Sequence, residues 1–93
     1  MAQSPFPMPS ANQLRLLVAA AEGNAADLAA DARLLLEAGR PARAHALATL
    51  ALEELGKRAL CLEALAGKLD ERGFRAAWSS HLASLADHSL VLM

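Results

Sequence analysis

Two adjacent carboxylates and a lysine interrupt the most apolar part of the chain, in the segment ALEELGK at 51–57. Carboxylates beside an ammonium group can orient a catalytic side chain, but in an apolar helix each charge must find a partner, because an unpaired buried charge is costly. Glu53 and Lys57 form an i,i+4 pair in the favoured order, and Glu54 has Lys57 and Arg58 within reach. The segment predicts either a ladder of helical ion pairs or a polar cluster kept for a site or an interface.

Gly56 lies inside the same segment. A glycine in a helix interior costs about 1 kcal/mol relative to alanine. Its presence between two carboxylates and a lysine predicts a close approach by another backbone or by a ligand, which a side chain at this position would block. The alternative is a glycine tolerated in an otherwise strong helix.

His81 is the second residue that could do chemistry, because imidazole changes its charge near neutral pH. It shares a helical spacing of four and three with Phe74 and the only tryptophan, Trp78. His81 can therefore face the carboxylate cluster if its helix packs on that side, although a histidine on a packing seam is also commonly a hydrogen-bonded core residue. The spacing of His81 and His88 matches no standard metal site, so neither a metal ion nor a cofactor is predicted.

Composition defines the class of protein that carries these residues. The 93 residues make one domain, and they are 55% hydrophobic but only 3% aromatic. Alanine and leucine dominate, which favours an all-α protein. The net charge of −1 lacks the basic excess usual in nucleic-acid binders. The single cysteine, the absence of a secretory signal and the absence of a long uncharged apolar run predict a cytoplasmic protein without a membrane partner.

The pattern along the chain predicts an antiparallel bundle of three helices. Residues 1–9 hold three prolines and are expected to form a disordered lead, and residues 10–93 form the helical-bundle domain. The helices are predicted at 11–38, at 41–69 and from about 74 onward, with a capping box of Ser10 and Gln13 at the first. The chain is still apolar where it stops, which predicts either a longer native protein or a bundle completed by homodimerisation.

The second helix carries two apolar stripes. The Leu52 stripe is predicted to be the main core face and consists of Ala48, Leu52, Leu55, Ala59, Leu62, Ala66 and Leu69. The Glu54 stripe consists of Leu47, Leu50, Glu54, Cys61 and Leu65, and predicts a second packing partner. Glu54 is therefore expected to be substantially buried, paired with Lys57 or Arg58 and facing the third helix.

The segment from Asn24 to Lys57 resembles the first half of the AbiV-type abortive-infection proteins, which belong to the HEPN superfamily of α-helical bundles. The matching pieces are Asn24-Ala25, LLLEAGR at 34–40, the alternating alanines 44, 46 and 48, and EELGK at 53–57. FRAAWSSH at 74–81 is similar to the aromatic start of the helix that leads to the family's histidine. Together these pieces cover about two thirds of the chain.

The resemblance implies defence against phage, and often metal-independent RNA cleavage by a dimer with a composite cleft. It implies that His81 acts as general acid or base and that Arg75 or Lys57 stabilises charge on phosphate. Glu54 would orient His81 or Lys57. Arg75 and His81 fit the family's arginine–histidine spacing, as do Arg40 and His45. The alternative function is a non-catalytic module that dimerises or binds a phage or host protein, favoured by the absence of basic residues just after His81.

Overall fold

A computed structural model describes the backbone of residues 8–92 and the side chains of residues 8–83. It contains three helices, α1 (Ala11–Glu37), α2 (Pro41–Leu65) and α3 (Glu71–Leu92), and no strand within the described residues. The predicted all-α bundle is confirmed. Residues 1–7 of the predicted disordered lead lie outside the described residues, so that part of the chain division stays a prediction.

The start and the end of α1 follow from local hydrogen bonds. The Ser10 hydroxyl accepts the N–H of Gln13 at 3.2 Å, and the Gln13 side chain accepts the N–H of Ser10 at 2.8 Å, which is the predicted capping box. At the other end Gly39 has φ 77°, a left-handed conformation that glycine adopts without steric cost. The helix runs without interruption through Gly23, as predicted.

The second helix ends four residues before the predicted boundary. Gly67 has φ 75°, and the N–H of Lys68 donates to the carbonyl of Glu63 at 2.9 Å, which closes the helix with a Schellman motif. The next helix also starts earlier than predicted. The side chain of Asp70 accepts the N–H of Gly73 at 2.7 Å and so caps α3, which begins at Glu71.

The central helix of the bundle is α2, with α1 packed antiparallel along it and α3 packed beside it. The three helices meet in a small core formed by Leu14, Leu60, Cys61 and Phe74. Met8, which precedes α1, packs against this core. The arrangement places one face of α2 toward α1, a second toward α3, and leaves a third without a packing partner among the described residues.

The predicted main core face of α2 is wrong. In the Leu52 stripe, Leu52, Leu55, Leu62 and all three alanines are exposed, and Leu69 lies beyond the end of the helix. The core face is the Glu54 stripe together with Ala51 and Leu60. Both stripes are rich in alanine and leucine, so hydrophobicity alone does not rank them. The Glu54 stripe can be buried because α1 and α2 supply hydrogen-bond donors to its one carboxylate.

Candidate functional site

Glu54 lies in the middle of the bundle with only 7% of its surface exposed. Its Oε1 is 2.6 Å from the Lys57 Nζ, and its Oε2 accepts a long hydrogen bond of 3.4 Å from the Asn24 Nδ2 of α1. The predicted burial and the predicted pairing with Lys57 are confirmed. Glu54 bonds to α1 rather than to α3, and Arg58 pairs with Glu22 of α1 at 2.6 Å instead.

Asn24 is a member of this cluster that the sequence reasoning did not identify. Asn24 follows Leu17 by seven residues and precedes Leu28 by four. It therefore lies on the apolar stripe of α1 that faces α2. A polar residue in phase with an apolar stripe was the signal that could have placed its carboxamide opposite Glu54.

His81 of α3 forms the second part of the site. Its Nδ1 is 3.2 Å from Oε2 of Glu53, and both side chains are partly buried. Among the described residues no hydrogen bond involves the His81 Nε2. A carboxylate on Nδ1 favours the tautomer with its proton there, which makes Nε2 the acceptor of a proton. The carboxylate that contacts His81 is thus Glu53, and Glu54 contacts Lys57.

Gly56 lets the His81 ring approach α2. A Cβ atom built on Gly56 would lie 2.5 Å from the His81 Cε1, closer than such atoms can come. The close approach predicted at this glycine is present, and the approaching group is a side chain of α3. The segment EELG therefore supplies both the carboxylate that holds His81 and the space that the imidazole occupies.

Lys57 connects the Glu54 cluster with α3. Its Nζ lies 5.9 Å from the centre of the Trp78 ring, and Trp78 stacks on Phe74 with 5.5 Å between ring centres. Glu54, Lys57, Cys61 and Trp78 line a cavity of about 140 Å³ between the helices. Lys57 thus contacts the Glu54 carboxylate of α2 and the aromatic face of Trp78 of α3. It lies on the side of α2 that faces α3, the helix that carries His81.

Cys61 closes the cavity at the core. Only 1% of its surface is exposed, and this burial raises the pKa of the thiol, while the nearby Lys57 ammonium acts in the opposite direction. A buried thiol with a raised pKa is a poor nucleophile at neutral pH. Cys61 therefore serves packing in this site.

Arg75 lies apart from His81. It forms an ion pair with Glu71, one turn earlier on α3, and its buried Nε has no hydrogen-bond partner within the described part of the chain. It lines a groove of about 770 Å³ between α1 and α3. Six residues along a helix correspond to a rotation of about 120°, so Arg75 and His81 point to different sides of α3. Of the four predicted site residues, Glu54 and Lys57 are brought together, His81 lies on the same side of α2, and Arg75 does not join them.

The described part of the chain contains neither a metal-binding cluster nor a helix that could span a membrane. No three histidine, cysteine, aspartate or glutamate side chains there cluster closely enough to hold a metal ion. Over the same residues no helix combines the length and the hydropathy needed to cross a membrane.

Comparison with known proteins places the chain in a family. No curated protein and no solved structure gives a significant match. The family model HEPN_AbiV, described as AbiV, matches residues 13–91, a range that includes Asn24, the EELGK segment and His81. The chain therefore belongs to the AbiV family, whose members are abortive-infection proteins of the HEPN type.

Proposed function

We propose that this AbiV-family protein acts in the cytoplasm as a metal-independent ribonuclease, with His81 as its acid–base group. The observation that carries this proposal is the Glu53–His81 hydrogen bond of 3.2 Å, which orients an imidazole in a partly buried position. A histidine held on Nδ1 by a carboxylate, with Nε2 unpaired among the described residues, is suited to accept a proton from a hydroxyl group.

The reaction requires one proton transfer and one displacement. Nε2 of His81 takes the proton of a ribose 2′-hydroxyl, and the 2′-oxygen attacks the adjacent phosphorus. The bond from phosphorus to the 5′-oxygen breaks, and the leaving oxygen takes a proton from water. The products are a 2′,3′-cyclic phosphate and a 5′-hydroxyl. Glu53 stabilises the imidazolium that forms and is a positioning residue.

Two cations are assigned to the phosphates of the RNA. Lys57 lies on the same side of α2 as His81 and stabilises charge on the reacting phosphate, while Glu54 holds Lys57 in place. Arg75 points to another side of α3 and is assigned to a neighbouring phosphate. The proposed active form is a homodimer, which the exposed leucines of α2 support.

RNA cleavage in the presence of EDTA tests the proposal. The wild-type protein is expected to cut RNA and to leave 2′,3′-cyclic phosphate ends, and His81→Ala should lower the rate by about 100-fold or more. His45→Ala is the matched control, because His45 is exposed on α2 and also follows an arginine at the family spacing. Absence of cleavage, or equal rates for wild type and His81→Ala, would contradict the proposal.

A non-catalytic module that dimerises or binds a partner protein is the second candidate. It is favoured by the pairing of both assigned cations, Lys57 with Glu54 and Arg75 with Glu71, which leaves less positive charge for phosphate. On this alternative the wild-type protein has no nuclease activity. Loss of phage resistance in cells would then follow substitutions of the exposed leucines and not His81→Ala.

A further inference from the structure

The Leu52 stripe leaves a long apolar face of α2 without a partner in the described structure. Leu52 is 68% exposed, Leu55 46% and Leu62 38%. With Ala48, Ala59 and Ala66, which are also exposed, these leucines form one contiguous line of side chains along most of α2. A continuous apolar line of this length on a small bundle points to an interaction surface.

From Ala48 to Ala66 the Leu52 stripe has six members, and successive members are four, three, four, three and four residues apart. This is a repeat of 3.5 residues, the period at which two helices wind around each other in a coiled coil. We propose that this part of the Leu52 stripe is the seam of a parallel two-stranded contact between α2 and α2 of a second copy of this chain. The proposal specifies the surface of the homodimer named above, and it can be tested whether or not the protein cleaves RNA.

Charge complementarity selects a second copy in parallel orientation. In heptad positions, Leu52 and Ala59 are a residues, Leu55 and Leu62 are d residues, and Arg58 and Glu63 fall at g and e. In a parallel pair a g residue faces the e residue five positions later on the other helix, so Arg58 of each copy meets Glu63 of the other. An antiparallel pair would juxtapose g with g and e with e, and would form no such pair.

The rest of the bundle leaves room for this contact. The Glu54 stripe packs on α1, and Glu53, Gly56 and Lys57 face α3. The Leu52 stripe occupies the remaining side of α2, where Glu63 is exposed. Arg58 is partly exposed even though it pairs with Glu22, so it can bridge Glu22 and a second carboxylate. Since α2 is already a folded helix, the contact does not have to order it.

Self-cross-linking of cysteine variants of the full chain tests the orientation. In a parallel pair each seam residue faces its own copy, so Ala48→Cys and Ala59→Cys should each form a disulfide-linked dimer on mild oxidation. Ala30→Cys is the matched control, an exposed alanine of α1 away from the seam, and should not cross-link. Cys61 is buried and should not compete. Mixed disulfides between Ala48→Cys and other seam cysteines, with no self-linked Ala48→Cys, would overturn the parallel arrangement.

Sedimentation equilibrium tests the surface itself. Leu52→Glu should raise the dimer dissociation constant by about 100-fold, because it places a charge in the seam of both copies. Leu34→Glu on α1 is the control with a similar exposure, and should leave the dissociation constant unchanged.

Glu63→Lys tests the charge pair of the seam. It should weaken the dimer by about 5-fold at low salt, and added salt should reduce this difference. A monomeric wild-type protein, or a dimer insensitive to Leu52→Glu, would overturn the proposal.

Discussion

Glu54 is a carboxylate that the protein buries among apolar side chains, and its stability effect can be measured directly. Glu54→Ala removes the partner of Lys57, whose side chain retains only 18% exposure. The free energy of unfolding should fall by about 3 kcal/mol, at the lower end of the cost of breaking a buried pair, because Lys57 keeps some contact with water. Urea denaturation of the variant and the wild type measures the difference.

Asp31→Ala is the control for Glu54→Ala. Asp31 is an exposed carboxylate inside α1, and removal of an exposed charge changes the free energy of unfolding by about 0.5 kcal/mol or less. Equal and small losses in both variants would show that Glu54 behaves as a solvated helix charge.

Cys61 gives the protein a defined response to alkaline pH. Burial raises the pKa of the thiol in the folded state, so the unfolded chain loses this proton first as the pH rises. Stability should be independent of this group below the ordinary thiol pKa of about 8.5 and should fall above it. Urea denaturation at pH 7.5 and pH 9.5 should show a larger loss for the wild type than for Cys61→Ala. Parallel losses in the two proteins would contradict the assignment.

At the scale of residues, the sequence predicted the contacts between residues that are close together in the chain. Glu54 and Lys57 are three residues apart on one helix, so their pairing follows from helix geometry once burial is inferred. The contacts from Glu54 to Asn24 and from Glu53 to His81 join different helices. They depend on the rotation of each helix about its axis. If the residue that faces the neighbouring helix shifts by one position, the helix is rotated by about 100°.

The approach of α3 to α2 depends on Gly56. Gly56→Ala gains about 1 kcal/mol of helix propensity, but its Cβ would overlap the His81 ring, which Glu53 holds. We expect no net stabilisation in the wild-type background, and a gain of about 1 kcal/mol when the same change is made in His81→Ala. Thermal denaturation of the four proteins of this double-mutant cycle provides the measurement.

Gly23 provides the control for that cycle. It lies inside α1, and a Cβ atom added to it meets no atom within 4 Å. Gly23→Ala should therefore stabilise the wild type and the His81→Ala variant equally, by about 1 kcal/mol. If Gly56→Ala gave the same gain in both backgrounds, the close approach of His81 would be refuted.

At the scale of helices, the sequence predicted the elements better than their faces. Ser10, Gly39 and Pro41 fix the ends of α1 and the start of α2 through local conformations that each residue type favours. The end of α2 was misplaced because Gly67 lies within a pattern that stays apolar to Leu69. The faces of α2 were interchanged because both stripes are rich in alanine and leucine, so hydrophobicity alone does not rank them.

The whole molecule is organised around α2, which contacts α1 on one side and α3 on another. One side meets α1 through Glu54, another meets α3 through Glu53 and Gly56, and the third carries the exposed leucines. The residues matched by the AbiV family model, 13–91, include the segments of α2 and α3 that carry Glu53 and His81. The proposed ribonuclease activity therefore depends on the pair of Glu53 and His81.

The rate of RNA cleavage by Glu53→Gln tests that claim most directly. The amide still accepts a hydrogen bond from Nδ1 of His81 but cannot stabilise the imidazolium, so the cleavage rate should fall by about 10-fold or more while helix content stays unchanged. The control Glu37→Gln neutralises an exposed carboxylate of α1 and should retain the wild-type rate. Equal cleavage rates for Glu53→Gln and Glu37→Gln would contradict the proposed role of the Glu53–His81 pair.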